Sequence, residues 1–340
     1  MKKTLGVCVI GCGAMGKLHA RLWDGLPNAQ VVAVMDVDET AVSQQLTTLP
    51  HAKGYADYKT AISQPSVDVV SVCIPTNLHP EVAIYAAEQG KHVLCEKPIA
   101  LTLDDADAMI AAAKKAGVKF AVGLMRRYSP ITEQLRQWLD EGNLGRPIMA
   151  LASNVMELRP KRAMHNAHGN GGPVIDMLIH YVDTWKTILD AQPISVVAQG
   201  LTLAKDRPEI AQFEQKAVDT ASIMIRFDSG DLATFVVSWG VPPGTTLPQQ
   251  LGDQFYGAKG ILQVKYGAEQ TVKWLPENAN GWQPLFHADT NMYQLEIEAF
   301  ANCILHDLPI LTRGEDGRLG LQVSLAALES IRTGNSVAIT

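Results

Sequence analysis

The twelve residues LGVCVIGCGAMG, Leu5 to Gly16, decide the fold. Six apolar residues, Leu5–Ile10, run without polar alternation into Gly11-x-Gly13-x-x-Gly16, and Lys17–Leu26 continues with helix-like spacing. A second apolar run, Val31–Met35, ends at Asp36, twenty residues after Gly16. Continuous apolar runs suit strands buried on both faces of a parallel sheet. Strand, glycine turn, helix and a carboxylate at the end of the next strand form the dinucleotide-binding pattern. Glycines permit the tight turn and let backbone N–H groups of a helix N-terminus approach a pyrophosphate. Gly11, Gly13, Ala14 and Met15 are therefore expected on the phosphates, and Asp36 on a ribose hydroxyl. A carboxylate there repels a 2′-phosphate, and Val37-Asp38-Glu39 follows with no arginine. NAD is expected over NADP. The alternative is a glycine turn that serves packing alone.

Outward from this stretch the same alternation continues. Apolar runs recur at Val69–Ile74, His92–Cys95 and Phe120–Val122, with helix-like segments at Pro80–Gln89 and Leu103–Ala116. Strand and helix in repeated alternation imply a doubly wound α/β domain over residues 1–124. Residues 125–340 read differently. Helix-like Ser129–Asp140 and Val174–Leu189 are interspersed with strand-like Ile148–Asn154, Ile194–Gly200, Ala221–Phe227, Leu232–Trp239, Asp253–Tyr256 and Ile261–Tyr266. Asp228-Ser229-Gly230 between two runs is a hairpin signal. Met292–Leu305 and Gly317–Thr333 look like closing helices, and Gly200–Lys216 and Val241–Gln250 like long surface loops. Strand after strand predicts an α+β domain with an open, mostly antiparallel sheet.

Composition removes several classes of function. The 340 residues are 47% hydrophobic and 19% charged, and the net charge of −6 is dispersed without long like-charge runs. Such a surface offers no electrostatic footprint for nucleic acid. No stretch approaches the roughly 20 apolar residues of a membrane span. Lys2-Lys3, Leu5–Ile10 and Gly11-Cys12 superficially resemble a bacterial lipoprotein signal, yet six apolar residues fall short of the roughly 7–15 of a secretory core. Cys8, Cys12, Cys73, Cys95 and Cys303 are odd in number and show no CxxC spacing. They read as reduced thiols of a cytoplasmic protein rather than a disulfide framework.

Two further loops follow strands, where ligands of open α/β sheets bind. Pro75-Thr76-Asn77-Leu78-His79 comes after Val69–Ile74, and Glu96-Lys97-Pro98 after His92–Cys95. Charges directly after a buried strand need partners or water, although a solvated loop with a surface ion pair would read the same way. In the second half, Gly172-Pro173 opens a helix in which Asp176, His180 and Asp183 fall at i, i+4 and i+7, a single polar stripe on an otherwise apolar helix. A carboxylate one turn from an imidazole can orient it and stabilise its protonated form. The same pair could be a structural hydrogen bond. Asn154, Glu157, Arg159, Lys161, Arg162, His165, Asn166, His168 and Asn170 crowd the preceding segment, which suits a polyhydroxylated ligand or a solvated loop. His165-x-x-His168 has no matching Cys/His cluster, so no metal is expected. Trp239, Tyr256 and Trp282 could wall a sugar face or pack the core.

These motifs together resemble the Gfo/Idh/MocA family of NAD(P)-dependent oxidoreductases, and within it the inositol dehydrogenase-like members. The resemblance rests on Gly11–Gly16, Asp36, Cys95-Glu96-Lys97-Pro98, Leu124-Met125-Arg126-Arg127-Tyr128, and Gly171-Gly172-Pro173 leading to Asp176, His180 and Asp183, in the family's order along essentially the whole chain. It implies an N-terminal Rossmann domain and a C-terminal domain that binds substrate and whose sheet joins subunits into a homodimer or homotetramer. It implies cofactor contacts from Ile74, Pro75, Thr76, Asn77, His79, Glu96 and Lys97, and a cis peptide before Pro98. Lys97, Asp176 and His180 match the family's catalytic residues. With Arg127, Asn154 and His165 they are expected to meet the substrate, a cyclic polyol or sugar. His180 would accept the hydroxyl proton, Asp176 would orient His180, and Lys97 would stabilise alkoxide character. Relatives also include glycosidases that oxidise a sugar only transiently with NAD, and a non-catalytic NAD- and sugar-sensing regulator would share much of the site.

Overall fold

A computed structural model describes residues 4–247 and 250–340. Lys2 and Lys3 of the signal-like stretch, and Pro248 and Gln249 of the expected Val241–Gln250 loop, lie outside the described residues. The chain divides into two compact units: the chain up to Met125 with Met292–Arg318, and Arg126–Asn291 with Leu319–Thr340.

The first unit alternates strand and helix: β1 (Leu5–Ile10), α1 (Ala14–Asp24), β2 (Ala29–Met35), α2 (Glu39–Thr48), β3 (Lys53–Tyr55), α3 (Tyr58–Ile62), β4 (Val69–Val72), α4 (His79–Glu88), β5 (His92–Cys95), α5 (Leu103–Ala116) and β6 (Phe120–Val122). All strand pairings are parallel, in the order β3-β2-β1-β4-β5-β6. Strand order reverses between β1 and β4, so the loop after β1 opens at the topological switch point. Every residue of β1 and β4 is buried, which is why neither shows polar alternation in the sequence. α2, β3 and α3 were not foreseen. α2 buries only Val42 and Gln45 and so has no apolar stripe; what starts it is the Asp38 carboxylate, which accepts from Thr40 N.

The expectation of one continuous second domain over 125–340 needs a correction. Met292–Leu305 packs with the first unit, burying Ile297, Phe300 and Ala301 in the core that holds Trp23. Phe300 meets Trp23 edge to face, with ring centroids 6.4 Å apart.

The second unit contains α6 (Pro130–Asp140), β7 (Met149–Glu157), α7 (Gly172–Leu189), β8 (Pro193–Leu201), β9 (Thr220–Phe227), β10 (Leu232–Val241), β11 (Asp253–Gly257), β12 (Gly260–Lys265), β13 (Gln270–Pro276), β14 (Gln283–Ala288) and β15 (Val337–Ala338). The strands form one sheet in the order β14-β13-β12-β11-β7-β10-β9-β8-β15. Among the described residues only the β7–β10 pairing of this sheet is parallel. The expected hairpin turn joins β9 to β10. Ala150, Ala152, Ile223, Phe235 and Val237 line one face and share a core with Val174, Leu178, Tyr181 and Trp185 of α7. The face follows from period-two alternation, as along β9, where Ala221, Ile223, Ile225 and Phe227 are buried and the residues between them are not.

One cation is built into this core. The Arg126 guanidinium lies 4.5 Å from the Tyr181 ring centroid and 4.8 Å from that of Tyr266, and its Nη1 is 3.3 Å from Asp253 Oδ2. Burial pushes the Asp253 carboxyl up to about 6 against the pull of Arg126. Removing one partner of a buried pair strands the other charge. Asp253→Ala is expected to lower unfolding free energy in urea by about 3 kcal/mol; an unchanged midpoint would contradict this.

Candidate active site

In the first unit the expected cofactor residues gather at the carboxyl ends of β1, β2, β4 and β5. Gly11 turns at φ +100°, and Gly13 is the N-cap of α1, with no side-chain hydrogen bond capping the helix. Gly13 and Ala14 are exposed. Gly16 approaches the turn so closely that a Cβ there would lie 1.8 Å from Gly11 O. The uncapped first-turn amides and open space over Gly13 fit a pyrophosphate. Asp36 at the end of β2 bends back to this loop, its Oδ2 accepting from Cys12 N at 2.7 Å and its Oδ1 from Asp38 N at 3.0 Å. Burial, with Asp36 adding to it, pushes the Cys12 thiol up to about 11, so no thiolate opposes an anion there.

The loops after β4 and β5 hold two corrections. Ile74 and Pro75 are half-buried, Thr76 is buried and Asn77 exposed in the 3-10 turn Thr76–Leu78. His79, expected on the cofactor, is 1% exposed and turned inward. Its Nδ1 lies 2.8 Å from Pro98 O and its Nε2 3.0 Å from Ile74 O, so the ring braces one loop against the other. Burial lowers its pKa. Glu96, also expected on the cofactor, is 7% exposed. Its Oε1 meets His19 Nε2 at 2.9 Å and its Oε2 accepts from Lys97 N at 3.2 Å. Lys97 is half-buried and precedes a cis peptide to Pro98, as the resemblance implied.

His19 was missed by the sequence reading. It sits on α1, fully buried, with Nδ1 2.8 Å from Ser71 Oγ. Burial works against its charge, but Cys73 and the Glu96 carboxylate more than offset this and hold the imidazole well above its ordinary value.

In the second unit Asp176, His180 and Asp183 lie buried along α7. The helix enters through Gly171 and Gly172 at φ +77° and +74°, and a Cβ on Gly172 would come within 2.4 Å of Ala217 Cβ. Only glycine fits this entry. Asp176 Oδ1 accepts from Asn170 Nδ2 at 3.0 Å, which fixes the carboxylate one turn before the imidazole. Asp183 pairs with Arg127, accepting from Nε at 3.2 Å and from Nη2. Arg127, expected near substrate, is therefore locked side-on to the same helix stripe. Asn154 shares the face of Ala150 and Ala152 on β7, the side that α7 covers, and its Oδ1 is buried without a partner.

His165 is 1% exposed. Its Nε2 accepts from Arg159 N at 3.0 Å, which assigns the ring proton to Nδ1, and burial lowers its pKa. The ring packs on Trp239, whose indole also carries Arg159 over its face. Trp239 is thus core, not an open sugar wall. Trp282 is exposed and Tyr256 half-buried. Among the described residues no group of three or more His, Cys, Asp or Glu could hold a metal ion, and no helix is long and apolar enough to cross a membrane. All five cysteines are free.

Residues 5–124 match the family described as oxidoreductase family, NAD-binding Rossmann fold, and residues 132–263 match the GFO/IDH/MocA C-terminal domain. The myo-inositol 2-dehydrogenase of Thermotoga maritima is 31% identical over 336 residues, 97% of each chain. The chain belongs to the Gfo/Idh/MocA oxidoreductases. The scyllo-inositol 2-dehydrogenase (NAD(+)) of Bacillus subtilis is 29% identical over 346 residues, covering 100% of this chain and 97% of that one. A levoglucosan dehydrogenase solved with NADH and levoglucosan superposes with a TM-score of 0.87, covering 99% of this chain and 100% of that one. At 21% identity that likeness speaks for the fold. Membership makes this an NAD-binding oxidoreductase, and the cradle at Gly11–Gly16 with Asp36 fits the cofactor.

The His19–Glu96 pair gives a pH signature. A histidine whose pKa is raised on folding adds stability that is fully present below its unfolded value of 6.5 and fades as pH rises through the folded value. In urea titrations the stability advantage of the wild type over His19→Gln is expected to be largest near pH 6 and to shrink above it. An advantage that grows with pH would contradict the pairing.

Proposed function

We propose that this oxidoreductase oxidises a secondary hydroxyl of a cyclic polyol or sugar of the inositol type, using NAD. The observation that carries this reading is the Asp176–His180 stripe on α7: a buried imidazole one turn from a carboxylate that Asn170 already holds. The full-length relatives named as inositol 2-dehydrogenases point to the same substrate class.

His180 takes the hydroxyl proton as the O–H bond breaks. Asp176 orients the ring and stabilises the imidazolium. The Lys97 ammonium binds the substrate oxygen and opposes the negative charge that grows on it. The C–H bond on the same carbon breaks with its electron pair, leaving a ketone. Bound NAD supplies the hydride acceptor at nicotinamide C4. Gly11, Gly13, Ala14 and Met15 would hold its pyrophosphate and Asp36 its adenosine ribose, favouring NAD over NADP. Arg127, Asn154 and His165 complete the substrate side: Arg127 from its place beside Asp183 on the α7 stripe, Asn154 as an acceptor, and His165 through the segment it anchors.

A panel of inositols, aldoses and anhydrosugars, each with NAD and with NADP, tests this. Reduced cofactor should accumulate in step with substrate consumed, with kcat/KM for NAD about a hundredfold above NADP, roughly 2.8 kcal/mol. Lys97→Met and His180→Ala should each cost about a thousandfold in kcat. Product without accumulated NADH would favour transient oxidation, and no turnover on any member would favour a sensor.

We also propose that subunits join through the outer face of the nine-stranded sheet, in a cytoplasmic homodimer or homotetramer. Val197 pairs with Met224 and Leu232 with Met149 on that face, and all four are more than a third exposed. Apolar side chains left exposed in cross-strand pairs on one sheet face offer a surface for such a contact. Light scattering should give a dimer or tetramer mass that Met224→Glu lowers; a monomeric wild type would contradict it.

A further inference from the structure

Resting on the role given to Lys97 above, we propose that His19 is a positioning residue for that lysine, acting through Glu96 from the helix that begins at the glycine loop. His19 lies on the second turn of α1 and is fully buried. Its Nε2 meets Glu96 Oε1 at 2.9 Å, and the other oxygen of the same carboxylate accepts from Lys97 N at 3.2 Å. Two consecutive hydrogen bonds thus join the helix bearing the phosphate-facing amides to the backbone of the lysine.

The carboxylate is packed closely on one side. A Cβ on Gly123 would lie 3.3 Å from Glu96 Cδ, so the strand end after β6 packs directly against it. The imidazole is fixed in turn by Ser71 Oγ on β4, 2.8 Å from Nδ1. Cys73, just beyond β4, also faces the ring. On the far side of Lys97, His79 holds Pro98 O at 2.8 Å. The lysine backbone is therefore gripped on both flanks by buried imidazoles carried on different helices.

A pair that served packing alone would tolerate an apolar replacement of similar volume. Here the carboxylate spends its second oxygen on the amide of the residue that meets the substrate. Loss of the link should then displace the ammonium and lower turnover, while the glycine loop keeps its hold on the dinucleotide. Small misplacements of a catalytic group carry large rate costs.

The test compares His19→Leu, His19→Gln, Glu96→Gln and the His19→Leu/Glu96→Gln double variant in the full chain, with Lys97→Met as reference. NADH affinity and stoichiometry are read by nicotinamide fluorescence, and kcat and KM on the best substrate of the panel. His19→Leu and Glu96→Gln should each lower kcat about tenfold or more with NADH affinity within about threefold, and the double variant should be no worse than the poorer single, as expected for residues acting as a unit. His19→Gln, which keeps a donor toward Glu96, should recover part of the loss. Should His19→Leu fail to fold, the isosteric Glu96→Gln reads the same link. Single variants that keep kcat within about twofold while Lys97→Met is inactive would overturn the role of His19, as would losses that multiply or that fall on NADH affinity. Full activity in Lys97→Met would instead remove the role of Lys97 itself.

Discussion

A carboxylate placed directly after a strand buried on both faces cannot remain unpaired, and much of the first unit follows from how Glu96 is accommodated. β5 ends at Cys95 with no exposure, so the next residue starts inside the protein. Leaving an ionised group there alone would cost several kcal/mol. The chain places His19 against it from α1 and the Lys97 amide from its own backbone. That one accommodation ties α1 through His19, β4 through Ser71, and the lysine loop into a single polar network.

The second unit solves the same problem on a helix. α7 is apolar around most of its circumference, yet it buries two aspartates and a histidine in a row. Asn170 donates to Asp176 and Arg127 to Asp183, each from a segment lying outside the helix. Arg126, the neighbour of Arg127, is turned the other way into its own cage of Tyr181, Tyr266 and Asp253. Adjacent arginines thus have different tasks: one shapes the core, the other fixes the polar stripe. Charges paired this closely are held in place without a ligand.

Patterns confined to a few neighbouring residues were legible in the sequence. Gly11–Gly16, the Asp36 spacing and the i, i+4, i+7 stripe of α7 are local, and the structure realises them where they were read. Pairings across many residues were not legible. His19 and Glu96 are 77 residues apart, Arg127 and Asp183 56, and nothing in either neighbourhood announces the other. His79 and Glu96 were read as facing a cofactor because the family resemblance implied it, whereas both spend their polar atoms inside the protein. α2 and β3 escaped because one lacks an apolar face and the other is only three residues long on a sheet edge. Met292–Leu305 was recognised as a helix, but its packing on Trp23 depends on Phe300 finding a partner nearly the whole chain away.

Direct transfer of a hydride from substrate carbon to nicotinamide, followed by release of both products, is the step on which the proposed function turns. A polyol carrying deuterium on the carbon to be oxidised tests it in one experiment. Mass analysis of the reduced dinucleotide should find the label at nicotinamide C4, with the ketone free of it. Deuterium returned to the carbohydrate product, or exchanged into water with no reduced dinucleotide released, would contradict the proposed oxidation.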